Sequence, residues 1–502
     1  MKYTVLDYLE ATANKYPNKI AFADTTNRIT WQELVNSAKE KSVIISKYFS
    51  AGSAVPIMIE KSVKTVEYFF AALYAGCFYS YFDATFPDSR LNSMVDTLKA
   101  RYIIADSKYE KKLLNINVEP LFYKKLEGEK GDFSQERRKN SIDTDAVYAN
   151  FTSGSTGTPK AVVVSHRSVI DFISCFTELF DINENDNIAN QAPFDFDVSV
   201  KDIFSSIKVG ATLVIIPKSY FSNPTVLLDY ICDNKVTTLT WAVSALCLVT
   251  TFHGLKYKVP KSVNKILFSG EVMPIKHLNK WMEALPNTMF VNVYGPTEIT
   301  CNCTYHIIDR KRNYDDKIPV GKPFPNERVI LLDKEDNVIT DIDTVGEICV
   351  SGTPLALGYY NNIEQTNKNF VQNPSIKNYR EIMYRTGDLG YYDKNGDLIF
   401  NGRKDFQIKY LGHRIELEEI DKAIMEQDEV IRCCTIFEEE KSKLYGFYIG
   451  NIEKKDLVIR LKEVLPVFMI PTIVVKMDEF PITKNGKIDR KKLLEIYKEG
   501  KK

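Results

Sequence analysis

FTSGSTGTPKAVVVSH, residues 151–166, is the stretch on which the fold turns. Thr152, Ser153, Gly154, Ser155, Thr156 and Gly157 run together, and Thr158, Pro159 and Lys160 follow. A loop this rich in glycine and hydroxyls can turn its N–H groups and side chains onto phosphate oxygens. Lys160 adds a point charge. The spacing Gly154-x-x-Gly157-x-x-Lys160 lacks the Lys-Ser/Thr ending of a Walker A loop. A flexible linker has a similar composition. Against that reading, AVVVSH (161–166) follows at once with the look of a strand, and linkers rarely sit between ordered elements.

Outward from the loop, short apolar runs alternate with helical periodicity. ARYIIAD (100–106), ATLVIIP (211–217), NKILFSG (264–270) and TMFVNVYG (288–295) are rich in β-branched or aromatic residues and bounded by Gly, Asp or Pro. Buried parallel strands have this composition. Between them, NPTVLLDYICDNKV (223–236) and MPIKHLNKWMEAL (273–285) place apolar residues at helical spacing. Strand, helix, strand in repetition predicts an α/β architecture. The pattern changes near residue 320, where ERVILLDKEDNVI (327–339), GEICVSG (346–352) and the hairpin signal YYDKNGDLIFNGR (391–403) follow. A charged passage after Arg403 places a domain boundary near Lys404–Asp405, with a compact α+β remainder beyond it.

Composition excludes several classes. The 502 residues carry 66 Lys+Arg and 66 Asp+Glu, so the formal net charge is zero. A nucleic-acid binder usually has a basic excess, and long disordered tails need one-signed charge and low hydrophobicity. With 28 Phe and 28 Tyr a large core can be filled, and at roughly 150 residues per domain about three domains or subdomains are expected. The most apolar stretch, Thr65 to Tyr79, contains Glu67 and is shorter than the ~20 residues of a bilayer span. The N-terminal MKYTVLDYLEATANKYP holds Asp7 and Glu10, so it reads as an amphipathic helix stopped before Pro17, not as a signal peptide. Nine cysteines show no disulfide or zinc spacing. They read as packed thiols of a cytoplasmic protein.

Residues 151–166 resemble the phosphate loop of the adenylate-forming superfamily, which includes acyl-CoA ligases, luciferases and the adenylation domains of peptide synthetases. The resemblance continues in order through NVYGPTE (292–298), GEICVSGTPLALGYYNN (346–362), YRTGDLGYYDKNGDLIFNGRKDFQIKYLGHRIELEEI (384–420) and PITKNGKIDRKKL (481–493). Five ordered motifs are far more specific than one glycine-rich loop. The resemblance implies a large N-terminal domain of layered α/β subdomains with a distorted β-barrel, residues 1–403. It also implies a small mobile C-terminal α+β domain, residues 404–502. The implied cofactors are ATP and Mg2+.

The implied chemistry is attack of a substrate carboxylate on the α-phosphate of ATP, with loss of pyrophosphate. A carboxylate is already a nucleophile, so the protein mainly positions groups and stabilises charge. By resemblance, Thr152 to Gly157 and Lys160 cradle the pyrophosphate part. Asn292 and Tyr294 hold the adenine, next to Gly295 and Pro296, and Thr297 touches the α-phosphate. Glu298 coordinates magnesium. Asp388 accepts the ribose hydroxyls, supported by Arg403. Lys487 bridges substrate carboxylate and phosphate. Asp405 is the implied pivot about which the small domain rotates, replacing the Lys487 face by a face carrying Lys409 to Gly412 that admits a pantetheine thiol.

FDFDVSVKDIF (194–204) bears on the substrate. Asp197 aligns with the acidic residue that amino-acid-activating members pair with the α-ammonium. A salt bridge to Lys201 at i+4 is the competing reading. The pattern is most similar to the ligases that load D-alanine onto a carrier protein, with departures. Ser269 stands where a Cys is usual, and Lys201 and Asn302 where apolar residues are usual. The implied pocket is Asp197, Val198, Lys201, Thr240, Leu267, Ser269, Val293, Cys301 and Asn302. It is more polar than alanine requires, so a small polar or acidic amino acid is an alternative to D-alanine. The sequence after Lys487 shows no pantetheine-attachment motif, so a phosphopantetheinylated carrier protein is expected as a separate chain. An acyl- or aryl-CoA ligase and a catalytically silent nucleotide-binding scaffold are the rival functions.

Overall fold

The computed structural model describes residues 3–126, 133, 135–154, 158–314, 317–482 and 488–499. Two large sheets dominate. One has nine strands, with Met289–Tyr294, Lys265–Ser269, Thr238–Ala242, Asn187–Asn190, Thr212–Ile215 and Ile20–Ala23 parallel at its centre. The other has seven, with Ala146–Thr152, Phe78–Tyr81, Ala54–Met58, Tyr102–Ala105 and Glu119–Phe122 parallel. The apolar runs read as strands at 100–106, 211–217, 264–270 and 288–295 all fall within these sheets.

Alternation explains why those runs are apolar throughout. Leu267, Val291 and Val293 face one core, and their neighbours Ile266, Phe268 and Phe290 face another. Both faces are covered by helices, so nearly every position on these strands is buried and only first residues such as Met289, Thr212 and Tyr102 are partly exposed. The first core also takes Val162 and Val164 from the second sheet, with helices Val5–Lys15, Trp31–Tyr48, Val63–Tyr74, His166–Leu179 and Val198–Val209. One shared core therefore locks the two sheets together.

After residue 320 the pattern becomes antiparallel. Glu327–Leu332, Gly346–Gly352, Ile382–Tyr392 and Leu398–Arg403 form the strand-rich third layer, where a distorted barrel was expected. Gly396 has φ +75°, which suits the expected Asn-Gly turn. Residues beyond 404 add a hairpin, Gln407–Tyr410 with His413–Glu416, and a three-stranded sheet flanked by helices Leu417–Met425 and Lys454–Val464. Among the described residues no helix is long and apolar enough to cross a membrane.

Candidate functional site

The cleft opens where strands of both large sheets end. Lys265–Ser269 delivers Ser269, Met289–Tyr294 delivers Tyr294 and Ala146–Thr152 delivers Thr152. Ligands of open α/β sheets bind outside the carboxyl ends of strands. Thr152 and Ser153, Asp197 and Val198, Ser269, and Asp388 with Arg403 line one cavity there. Gly295, Pro296, Thr297, Cys301 and Asn302 close another side, and Lys409 enters from the hairpin after residue 404.

The expected phosphate loop lies between two antiparallel strands, Ala146–Thr152 and Lys160–Ser165. An added Cβ on Gly154 would lie 2.2 Å from the Thr158 carbonyl oxygen, so this turn needs glycine. Ser155, Thr156 and Gly157 lie outside the described residues, as does Lys487. Lys160 is half-buried, its Nζ 5.8 Å from the Tyr359 ring centre. Burial and then the Arg414 charge lower its pKa.

Glu298 sits in the short turn Thr297–Ile299 and is 0% exposed. Arg414 Nη1 donates to both its oxygens, at 2.8 and 3.0 Å, and the Tyr359 hydroxyl donates at 2.8 Å. Burial alone would raise the Glu298 pKa, but Arg414 and Tyr359 outweigh it and hold the carboxyl below its ordinary value. At the opposite end Asp388 is held by two donors, the Tyr294 hydroxyl on one oxygen and Arg403 on the other. Arg403 also grips Asp405 with two bonds, at 2.7 and 2.9 Å. Asn292 Nδ2 donates to the Pro319 carbonyl at 2.8 Å.

Asp197 immediately precedes helix Val198–Val209 and is 8% exposed. Burial pushes its pKa up, opposed by a hydrogen bond from Thr297 and the charges of Lys409 and Lys201. Lys201, one turn further on, is 0% exposed and contacts Asn302 Oδ1 at 3.3 Å and Ser269 Oγ at 3.4 Å. No ion pair joins Asp197 to Lys201 among the described residues, so the i+4 bridge is not formed. The Thr240 hydroxyl is turned away to Asp202, which also accepts from Asn190 at 2.8 Å. Leu267 and Val293 are buried behind the floor, and Cys301 Sγ donates to Asn302 Oδ1 at 3.4 Å. An added Cβ on Gly295 would fall 2.5 Å from the Asn302 Cα, so this glycine lets the strand end lie flat on the pocket floor.

The hairpin caps the cleft. Lys409 Nζ lies 5.8 Å from the Tyr294 ring centre. The Ser153 hydroxyl donates to the Arg414 carbonyl at 2.9 Å, and the Gly412 amide donates to Glu271 at 3.0 Å. His413 stacks on Phe468 with ring centres 3.7 Å apart. Behind it, Arg90 pairs with Glu419 at 2.7 Å in a buried bridge. The motif reading missed Arg414, Tyr359, Glu271, His413 and Phe468. Arg414 and Tyr359 both lie inside quoted motifs, but their pairing spans residues far apart in the chain and has no local signal.

The model of a family described as AMP-binding enzyme matches residues 9–360. Bacitracin synthase 1 of Bacillus licheniformis is 33% identical over 500 residues, which are 98% of this chain and 9% of that protein. Zwittermicin A synthase ZmaJ of Bacillus cereus is 31% identical over 513 residues, 98% of this chain and 95% of that one. This chain thus spans a small fraction of the first relative and nearly all of the second. A solved structure of PA1221, an NRPS protein containing adenylation and PCP domains, superposes with a TM-score of 0.86 over 99% of this chain and 98% of that one, at 24% identity. That likeness is one of fold.

Proposed function

Because the chain belongs to the AMP-binding enzyme family, and is thereby an AMP-forming ligase that uses ATP, we propose that it activates a small polar or acidic amino acid, or D-alanine, as the aminoacyl-AMP. The phosphopantetheine thiol of a separate carrier protein then attacks the acyl carbon, the bond to phosphate breaks, and AMP and the thiol proton leave. One observation carries this reading: Asp197, the phosphate-loop end Thr152–Ser153 and Asp388 face one cavity, with Glu298 beside it, under a hairpin from the small lobe.

In the first step the substrate carboxylate attacks the α-phosphorus and the bond to pyrophosphate breaks. Asp197 holds the α-ammonium, and the loop 152–157 with Lys160 holds the β- and γ-phosphates. Asn292 and Tyr294 flank the adenine, Thr297 meets the α-phosphate, and Asp388 with Arg403 takes the ribose. Lys487 offsets both approaching anions. Glu298 suits Mg2+, a buried carboxylate next to the phosphate loop, since magnesium takes one or two carboxylates and completes its shell with phosphate oxygens and water. Bound there, the ion would neutralise leaving-group charge.

Residues 1–403 act as the core in this reading, and 404–502 as a lid that turns at Asp405. With the hairpin docked, Arg414 covers both oxygens of Glu298, so that carboxylate would be open to an ion only with the hairpin lifted. In this reading the docked hairpin serves the second step, with Lys409 facing the cavity. ATP–pyrophosphate exchange across the amino acids tests the first step. Exchange with no amino acid removes the proposal, and exchange driven by fatty or aromatic acids and indifferent to Asp197→Ala replaces it with an acyl- or aryl-CoA ligase.

A further inference from the structure

Behind the floor of the substrate pocket lies a charge that nothing in the first step uses. Lys201 is 0% exposed, and its neighbours there are two neutral oxygens at long range, Asn302 Oδ1 and Ser269 Oγ. Both neighbours face the cavity. An ammonium offers three donors. A buried cation without a hydrogen-bonded counter-ion is costly. The two nearby carboxylates are committed elsewhere. Asp202 accepts from Thr240 and Asn190, on the side away from the cavity. Asp197 accepts from Thr297 and faces the cavity, where the proposed function gives it the α-ammonium.

The arrangement is dipolar. Asp197 caps helix Val198–Val209 and lines the cavity, and Lys201, four residues on in the first turn, lies behind the lining residues Ser269 and Asn302; an i, i+4 spacing puts Cβ atoms about 5–6 Å apart. The carboxylate end suits an ammonium, and the lysine end suits an anion a few bonds away. We propose that Lys201 is the counter-ion for a side-chain carboxylate, so that the amino acid activated is an acidic one of aspartate or glutamate size. Asn302 and Ser269 act as positioning residues that hold Lys201 pointed at the cavity. This inference rests on the amino-acid adenylation reading and narrows it.

The test is ATP–pyrophosphate exchange by the full chain with aspartate, glutamate, asparagine, glutamine and alanine, each as both enantiomers. The expected result is an acid preferred over its own amide by about 100-fold or more in kcat/KM, since a site built around one polar group rejects the analogue that leaves that group unpaired. Lys201→Met should raise KM for the acid by roughly 100-fold and move KM for ATP by less than about threefold. Lys201→Arg should restore part of the loss, which a purely structural lysine would not require. The wild-type comparison of acid with amide needs no variant and decides the matter even if Lys201→Met misfolds. A neutral amino acid exchanging better than both acids overturns this inference and leaves the adenylation reading standing. Exchange with no amino acid overturns both.

Discussion

Replacing Arg414 with methionine isolates what holds the hairpin Gln407–Glu416 in the cleft. Methionine keeps most of the stem's packing and deletes the guanidinium. The pair it breaks joins a fully buried Glu298 to a half-buried Arg414, at 0% and 17% side-chain exposure. Two unit charges about 4 Å apart attract by about 4 kcal/mol at an effective dielectric of 20, and stripping one partner from a buried pair costs about 3–5 kcal/mol. Glu298 keeps the Tyr359 hydroxyl, and water reaches it once the hairpin lifts. The loss therefore falls on docking rather than on the fold. A deficit of about 3 kcal/mol weakens docking by roughly 100-fold. Hydrogen exchange reads this directly: amides of 407–416 should lose protection in Arg414→Met, and those of Lys265–Ser269 should keep theirs. The pH dependence has a definite sign. The docked pKa of Glu298 lies below its ordinary value because Arg414 and Tyr359 outweigh burial. Docking is then fully supported above the ordinary glutamate value of about 4.3 and is lost as pH falls through the lower docked value. Arg414→Met should abolish that acid transition. Unchanged protection at 407–416, or equal loss at 265–269, would refute the reasoning.

Four further outcomes are expected. Asp197→Ala should lower kcat/KM for the amino acid in pyrophosphate exchange by about 100-fold or more, since the substrate ammonium loses its charged partner, with KM for ATP nearly constant. Gly154→Ala forces a Cβ to 2.2 Å from the Thr158 carbonyl, so KM for ATP should rise while the melting temperature falls only slightly. Lys487→Ala should slow exchange by about 3 kcal/mol in barrier, roughly 100-fold, by removing charge stabilisation in the transition state. Phe468→Ala removes the ring stacked on His413; limited proteolysis should then cut the 407–416 hairpin faster, with the melting profile of the large core unmoved.

The local part of this protein was legible in its residues and the relational part was not. Strand runs such as Lys265–Ser269 were plain because both faces are buried and the apolar pattern has no gaps. The turn at Asn395–Gly396 was plain because the three-residue loop 394–396, closed between Asp393 and Asp397, ends on a positive φ that glycine takes freely. The glycine- and hydroxyl-rich composition of 152–160 was plain in the sequence, and the antiparallel pairing of the strands on either side was not, since pairing direction leaves no mark on one strand. Pair partners escaped for the same reason. Arg414 and Glu298 are 116 residues apart in the chain, and charge alone does not say which carboxylate an arginine meets. Arg403 shows what such pairing adds to a motif. Read singly, Asp388, Arg403 and Asp405 are a ribose acceptor, its support and a pivot. In the fold one guanidinium holds both carboxylates, Nη1 on Asp388 and Nε with Nη2 on Asp405. If Asp388 takes the ribose as proposed, nucleotide binding and the hairpin after Asp405 share one side chain, and Arg403→Lys, which keeps the charge but cannot bridge two carboxylates with paired bonds, should uncouple hairpin protection from added ATP.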